Sequence, residues 1–359
     1  MNSDPIDTNL PYDALLVLSF GGPESGEDVL PFLENVLRGK NVPRSRMLEV
    51  AEHYYHFGGK SPINDQNREL ISQLETAFTK EGIGLPIYWG NRNWYPLLPE
   101  TLQKMAADGV KRALLFFTSA YSSYSGCRQY WENVDEAQKT LSTPISFDKL
   151  RGFYNHPLFI QAQVEKVNKA ITALKGKTEK EGEGCEDSSD DPHVYFTAHS
   201  IPQTMANRSD YVAQLTETCR LVAERSRINN WQLVYQSRSG PPHQVWLGPD
   251  ICDCLEELPA RMRSDKAIEK KNPRVLIVPI GFLSDHLEVL YDLDTEAADV
   301  CQKENILMER AETVGTSSTF IEMVVSLVRE RLDSKRTKEA IGRFPPSHEK
   351  CPHGCCPLR

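Results

Sequence analysis

The sequence predicts an α/β protein built from two Rossmann-like domains that face each other across a cleft. Three features predict it. Short apolar, β-rich runs alternate with helix-length amphipathic stretches, the mark of a parallel sheet wrapped by helices. A polar, charge-rich segment divides the chain near its middle. The two sides then share one outline of strand, polar turn and helix.

The expected strands are 13–20 (DALLVLSF), 85–90 (LPIYWG), 112–119 (RALLFFTS), 193–200 (HVYFTAHS), 231–237 (WQLVYQS) and 273–280 (PRVLIVPI). Helical periodicity is clearest at 63–81, 97–108, 155–175, 207–227, 286–302 and 317–333. These give a short N-terminal tail (1–11), a first domain (12–173), a polar linker (174–192), a second domain (193–335) and a C-terminal tail (336–359). Cys185 in the linker reads as a free thiol. The end of the chain, RFPPSHEKCPHGCCPLR, is too rich in proline and too poor in apolar residues to continue a core, so something else must order it.

Bulk properties narrow the partners. With 359 residues, 40% apolar and 25% charged, the chain has the balance of an ordinary soluble protein. A formal charge of −9 argues against nucleic acid or an anionic membrane, both of which reward basic patches. The N-terminus lacks the basic and apolar regions of a signal peptide, and no apolar run approaches the ~20 residues of a membrane span. A cytoplasmic protein with no transmembrane segment is expected. Nine irregularly spaced cysteines do not read as a disulfide framework, which leaves core packing or metal ligation.

In such sheets ligands bind at the carboxyl ends of strands. The first strand ends in SFGGPES, and its glycine pair would either cradle a phosphate or make a structural turn; no phosphate-loop lysine follows. The fourth ends in FTAHSIP, where His199 sits at the rim, placed for proton transfer near neutral pH or for a structural hydrogen bond. A serine hydrolase is disfavoured, because Ser200 adjoins His199 and points to the opposite face, and no G-x-S-x-G elbow exists. The sixth runs into GFLSDHLEVLYDLDTE. A helix from Ser284 would put Glu288, Asp292 and Glu296 on one face. Such a row is either a solvated surface or, with Asp285 and His286 at the same mouth, a set of donors for a labile divalent cation.

The segments LLVLSFGGPES, HFGGKSPIN, WGNRNWYP, FTAHSIP, YQSRSGPPHQVWLGPD and PIGFLSDHLEVLYDLD occur in the order seen in ferrochelatases, and the chain resembles that family over residues 12 to 335. The resemblance is strongest to actinobacterial-type enzymes, through SFGGPE, GNRNW, SAYSSYSGC and QSRSGPP. It implies parallel four-stranded sheets in each domain, a porphyrin held between them, and insertion of ferrous iron. It implies His199 as principal proton acceptor and metal-approach ligand, assisted by Glu288, with Asp292 and Glu296 as a proton or cation relay and His286 behind them. Rigid walls for a bent macrocycle are expected from Phe20, Tyr121, Tyr124, Trp246 and Leu247, and partners for its carboxylates from Arg38, Tyr54, Ser61 and Tyr130. Phe20 stands where Bacillus-type relatives carry a tyrosine able to reach the metal, so product release should not depend on an axial phenolate.

By the same resemblance, Cys351, Cys355 and Cys356, with Cys127 from the body, are expected to hold a 2Fe-2S cluster, which would also order the tail. The alternatives are zinc, with His353 completing a Cys/His set, or no metal. Cys219, Cys252, Cys254 and Cys301 are expected to be structural. Coproporphyrin III is the expected substrate and protoporphyrin IX the alternative; a non-catalytic tetrapyrrole or haem carrier, a cobalt or sirohydrochlorin chelatase and a nucleotide-binding enzyme are the rivals. Transient contact with neighbouring haem-pathway enzymes is the remaining partner class.

Overall fold

The computed structural model describes residues 11–40, 42–180, 191–241, 243–264, 272–352 and 354–358. Eight strands form two four-stranded parallel sheets: β1 Ala14–Ser19, β2 Ile87–Asn91, β3 Arg112–Phe117 and β4 Ser146–Lys149 in the first, and β5 His193–His199, β6 Trp231–Gln236, β7 Arg274–Val278 and β8 Leu307–Arg310 in the second. The strand orders are β2-β1-β3-β4 and β6-β5-β7-β8, so the second half repeats the topology of the first. The central strands β1 and β7 are buried throughout, as expected of strands covered on both faces. The two strands that sequence reading missed, β4 (SFDK) and β8 (LMER), are edge strands that keep polar residues half exposed.

Helix packing departs from the expected division at 173. Pro157–Lys180 continues past the expected linker start and packs on β7, β8 and the helix Tyr211–Arg225 of the second half. In exchange, the last helix, Ser318–Leu332, packs on Ile63–Lys80 of the first half. One apolar core therefore runs through both halves, from Leu15 and Val17 through Phe153, Phe159 and Phe320 to Phe196 and Val278. Residues 181–190 of the expected linker, including Cys185, lie outside the described residues.

The glycine pair after β1 is a structural turn. Gly21 has φ +81° with Asn91 packed against it, and a Cβ on Gly22 would lie 2.7 Å from Ser61 Cβ. This close packing brings HFGGKSPIN and GNRNW against the end of β1.

The tail is ordered by side chains of the body. Arg151, 1% exposed, forms a bidentate pair with Glu330 and donates to the Glu339 carbonyl. Asn155 donates to the carbonyls of Phe344 and Pro345, Arg331 pairs with Glu349, and the Arg343 amide donates to Glu217. Metal is thus not needed to explain the order of residues 339–349.

Candidate functional site

β5 ends on His199, and the loop after β7 delivers Asp285 and His286 beside it. The helix that follows is short, Leu287–Tyr291, passing into a π-turn, Asp292–Glu296, and then Ala297–Lys303. It starts three residues later than the expected Ser284, with His286 as its extended N-terminal flanking residue. π-turns occur often at functional sites because they re-aim side chains.

His199 Nδ1 lies 2.5 Å from the Ser200 carbonyl. A carbonyl only accepts, so Nδ1 carries a proton and Nε2 is the ring nitrogen left to meet a ligand. Nε2 faces Glu288 Oε2 at 3.6 Å, and both side chains remain accessible to a ligand. The Tyr211 hydroxyl donates to the His199 carbonyl and fixes the strand end. Burial depresses the pKa of the neighbouring His286, which keeps it neutral.

Behind this pair runs the acidic row. Asp292 accepts from Ser237 Oγ and from Gln236 Nε2 at 3.2 Å. Burial, reinforced by Glu288 and Glu296, lifts its carboxyl to about 7 against the hydrogen bonds that oppose the rise. Glu296 is also raised, by burial and by Asp250. Arg310 anchors the segment, pairing with both oxygens of Asp294 (2.6 and 2.9 Å) and with Asp285 (3.1 Å).

Groups from the first half close the site. Leu287 joins an apolar cluster with Phe32, Tyr54 and Trp94, against which Phe20 packs, and the Asp285 amide donates to Gln66. His53, on the helix Arg44–His56, stacks on Tyr291 at 3.7 Å. Tyr54 is buried, and burial together with Glu288 and Asp292 raises its hydroxyl pKa, so it stays a neutral donor. Two cations that the sequence did not flag belong here. Arg92 lies over the rings of Tyr130 (4.7 Å) and Phe20 (5.6 Å); Lys40 feels both Arg92 and Glu288, its pKa depressed chiefly by burial.

Other expected wall and rim residues divide. Tyr124 and Trp246 are half-buried, and the Trp246 indole lies against Gly240. Arg38 is exposed at the end of the helix Val29–Leu37, bonded to Asn35. Tyr121 is core: it is 3% exposed and its hydroxyl donates to the Ile280 carbonyl, joining the two halves. Ser61 is buried behind the glycine turn, and Tyr130 is buried beneath Arg92.

A second cluster lies where the tail meets β4. A cavity of about 420 Å³ is lined by Cys127, Lys149, Cys351, Cys355 and Cys356 among others. The buried Lys149 Nζ lies 3.4 Å from Cys127 Sγ. A hydrogen bond from Cys127, helped by Lys149, favours the thiolate of Cys351. Cys355 and Cys356 sulfurs are 3.6 Å apart, and Arg128 holds the Cys355 carbonyl. A buried cation beside these thiols suits a thiolate-bound metal group. Cys219, Cys254 and Cys301 are buried and Cys252 half-buried, as expected of structural thiols. His353 lies outside the described residues. No helix among the described residues is long and apolar enough to cross a membrane.

Comparison with known proteins agrees with this geometry. The family model described as Ferrochelatase matches residues 12–332. A protein of Rhodopirellula baltica named Ferrochelatase is 52% identical, covering 96% of this chain and 93% of its own. Proteins named Coproporphyrin III ferrochelatase are 46% identical in Streptomyces coelicolor (99% and 96% covered) and 42% in Corynebacterium glutamicum (96% and 92%). Among solved structures, SirB from Bacillus subtilis with Fe3+ has the same fold, with a TM-score of 0.50 at 8% identity over 90% of this chain and 96% of that one.

Proposed function

Since this chain belongs to the ferrochelatase family, we propose that it inserts ferrous iron into coproporphyrin III, giving the iron–coproporphyrin of haem biosynthesis. The choice of porphyrin is supported by the relatives whose names specify it. The observation that carries the chemistry is the His199 tautomer: Nδ1–H is spent on the Ser200 carbonyl, leaving Nε2 free 3.6 Å from Glu288.

Insertion releases two pyrrole protons for each ferrous ion bound, and iron must shed water to reach the nitrogens. His199 Nε2 has one lone pair: it meets incoming iron and, once the iron has passed to the macrocycle, accepts one pyrrole proton, while Glu288 accepts the other. Glu288 stabilises the resulting imidazolium and takes part in handing over the metal. Asp292, poised near neutrality, accepts protons from Glu288 and passes them along Glu296 to solvent; neutral His286 completes the polar wall. Phe20, Tyr124 and Trp246 form the rigid faces that bend the macrocycle, since distortion exposes nitrogen lone pairs. Arg38 and Tyr54, with Arg92 and Lys40, meet its carboxylates.

Cys127, Cys351 and Cys355, with a fourth donor from the tail, support a 2Fe-2S cluster distinct from the substrate iron. When bound, such a cluster would tie the tail to the body through iron–thiolate bonds. Free thiols suit the cytoplasm, the proposed compartment, where passing contact with neighbouring haem-pathway enzymes would deliver substrate and remove product. The test of the whole reading is iron insertion by purified protein with coproporphyrin III and protoporphyrin IX in parallel.

A further inference from the structure

The tail offers one more donor than the four cysteines. His348 Nε2 lies 3.9 Å from Cys355 Sγ, and the ligand atoms of His348, Cys351 and Cys355 all fall within 4.8 Å of one another. His348 is held from both sides: Ser347 packs against Gly152, and Glu349 pairs with Arg331 at 3.0 Å and Lys338 at 3.1 Å. Chain spacing favours it too. His348 and Cys351 are separated by two residues and Cys351 and Cys355 by three, within the two-to-four range in which neighbouring ligands of one metal site commonly occur. Cys355 and Cys356 are adjacent. Cys356 adopts a left-handed backbone with φ +48° and is 5% exposed.

We infer that His348 is a ligand of the tail metal centre, in a set of His348, Cys351, Cys355 and Cys127, with Cys356 a packing thiol. The inference rests on reading the tail as a metal centre. Cys127 completes the set because it lines the same cavity as Cys351 and Cys355 and has the buried Lys149 Nζ 3.4 Å from its sulfur as counter-charge. A neutral imidazole in place of a thiolate lowers the negative charge of the ligand shell. For an iron–sulfur cluster, that exchange raises the reduction potential relative to an all-cysteine set.

The test uses the full chain purified without air. Iron and acid-labile sulfide are quantified, and the reduced protein is studied by pulsed paramagnetic resonance. The expected result is nitrogen coupling from a coordinated imidazole that disappears in His348→Ala, with iron and sulfide unchanged in Cys356→Ser. His348→Cys should keep the metal while losing the coupling, which separates ligation from a folding defect. Absence of nitrogen coupling in the unaltered protein overturns the inference. So does loss of metal in Cys356→Ser while His348→Ala keeps the original spectrum. Protein holding zinc without sulfide overturns the cluster alone; zinc X-ray absorption then reads the same ligand, a nitrogen lost in His348→Ala supporting the inference and an all-sulfur shell overturning it. Protein that takes up neither metal group overturns both.

Discussion

His199 Nε2 faces Glu288 Oε2 at 3.6 Å, while the other ring nitrogen is fixed on the Ser200 carbonyl. A base whose tautomer is set by its own backbone costs no reorganisation when the substrate arrives. His199→Ala should therefore cut iron insertion by about 10²–10⁴-fold yet still bind porphyrin, as read by quenching of porphyrin fluorescence. Insertion at the original rate would remove His199 from the mechanism.

Asp292 gives a pH signature. Its folded carboxyl titrates at about 7, above the ordinary 3.8, because of burial and the nearby Glu288 and Glu296. The native state thus binds this proton more tightly than the unfolded chain does. The stability it contributes is complete below pH 3.8 and is lost as pH rises to about 7. Melting temperatures of Asp292→Asn and the unaltered protein, compared between about pH 4 and 8, should show the variant gaining ground as pH rises. A difference that does not change with pH contradicts this assignment.

Arg151 should be the tail's main anchor. It and Glu330 are 1% and 2% exposed and joined by two hydrogen bonds. Arg151→Met leaves Glu330 as a buried, unpaired charge, a loss of about 3–5 kcal/mol. Urea unfolding measures the loss, and limited proteolysis should show earlier cleavage after residue 336. Unchanged stability and cleavage would place the anchor elsewhere.

Cys127 links tail and body. Air-protected protein should show sulfide-to-iron charge-transfer absorption in the visible range, and Cys127→Ser should reduce it together with acid-labile sulfide. An identical spectrum in the variant would exclude Cys127 as a ligand.

Much of this was legible in the sequence, for reasons that particular residues make plain. β1 and β7 announce themselves because strands buried on both faces must be apolar, whereas β4 and β8 lie at sheet edges and look like loops. His199 and the Glu288–Asp292–Glu296 row were visible from strand ends and spacing. Ser237 and Gln236, which hold Asp292, were not, since they come from the end of β6 and the residue after it, 55 and 56 residues away. Lys40 carried no local sign of lying near Glu288, nor Arg92 of lying over Phe20 and Tyr130. The tail's anchor is not legible locally, because Arg151 lies 188 residues before Glu339. His348 carries no local signal either, since one exposed histidine has no periodicity to reveal its neighbours.

The most direct test of the central claim is the rate of ferrous iron insertion into coproporphyrin III by the purified chain, with Glu288→Gln and protoporphyrin IX run alongside. The account predicts rapid insertion into coproporphyrin III, slower insertion into protoporphyrin IX, and a strong loss in Glu288→Gln. Porphyrin binding without insertion of iron into either compound would contradict it and leave a tetrapyrrole carrier on the same scaffold.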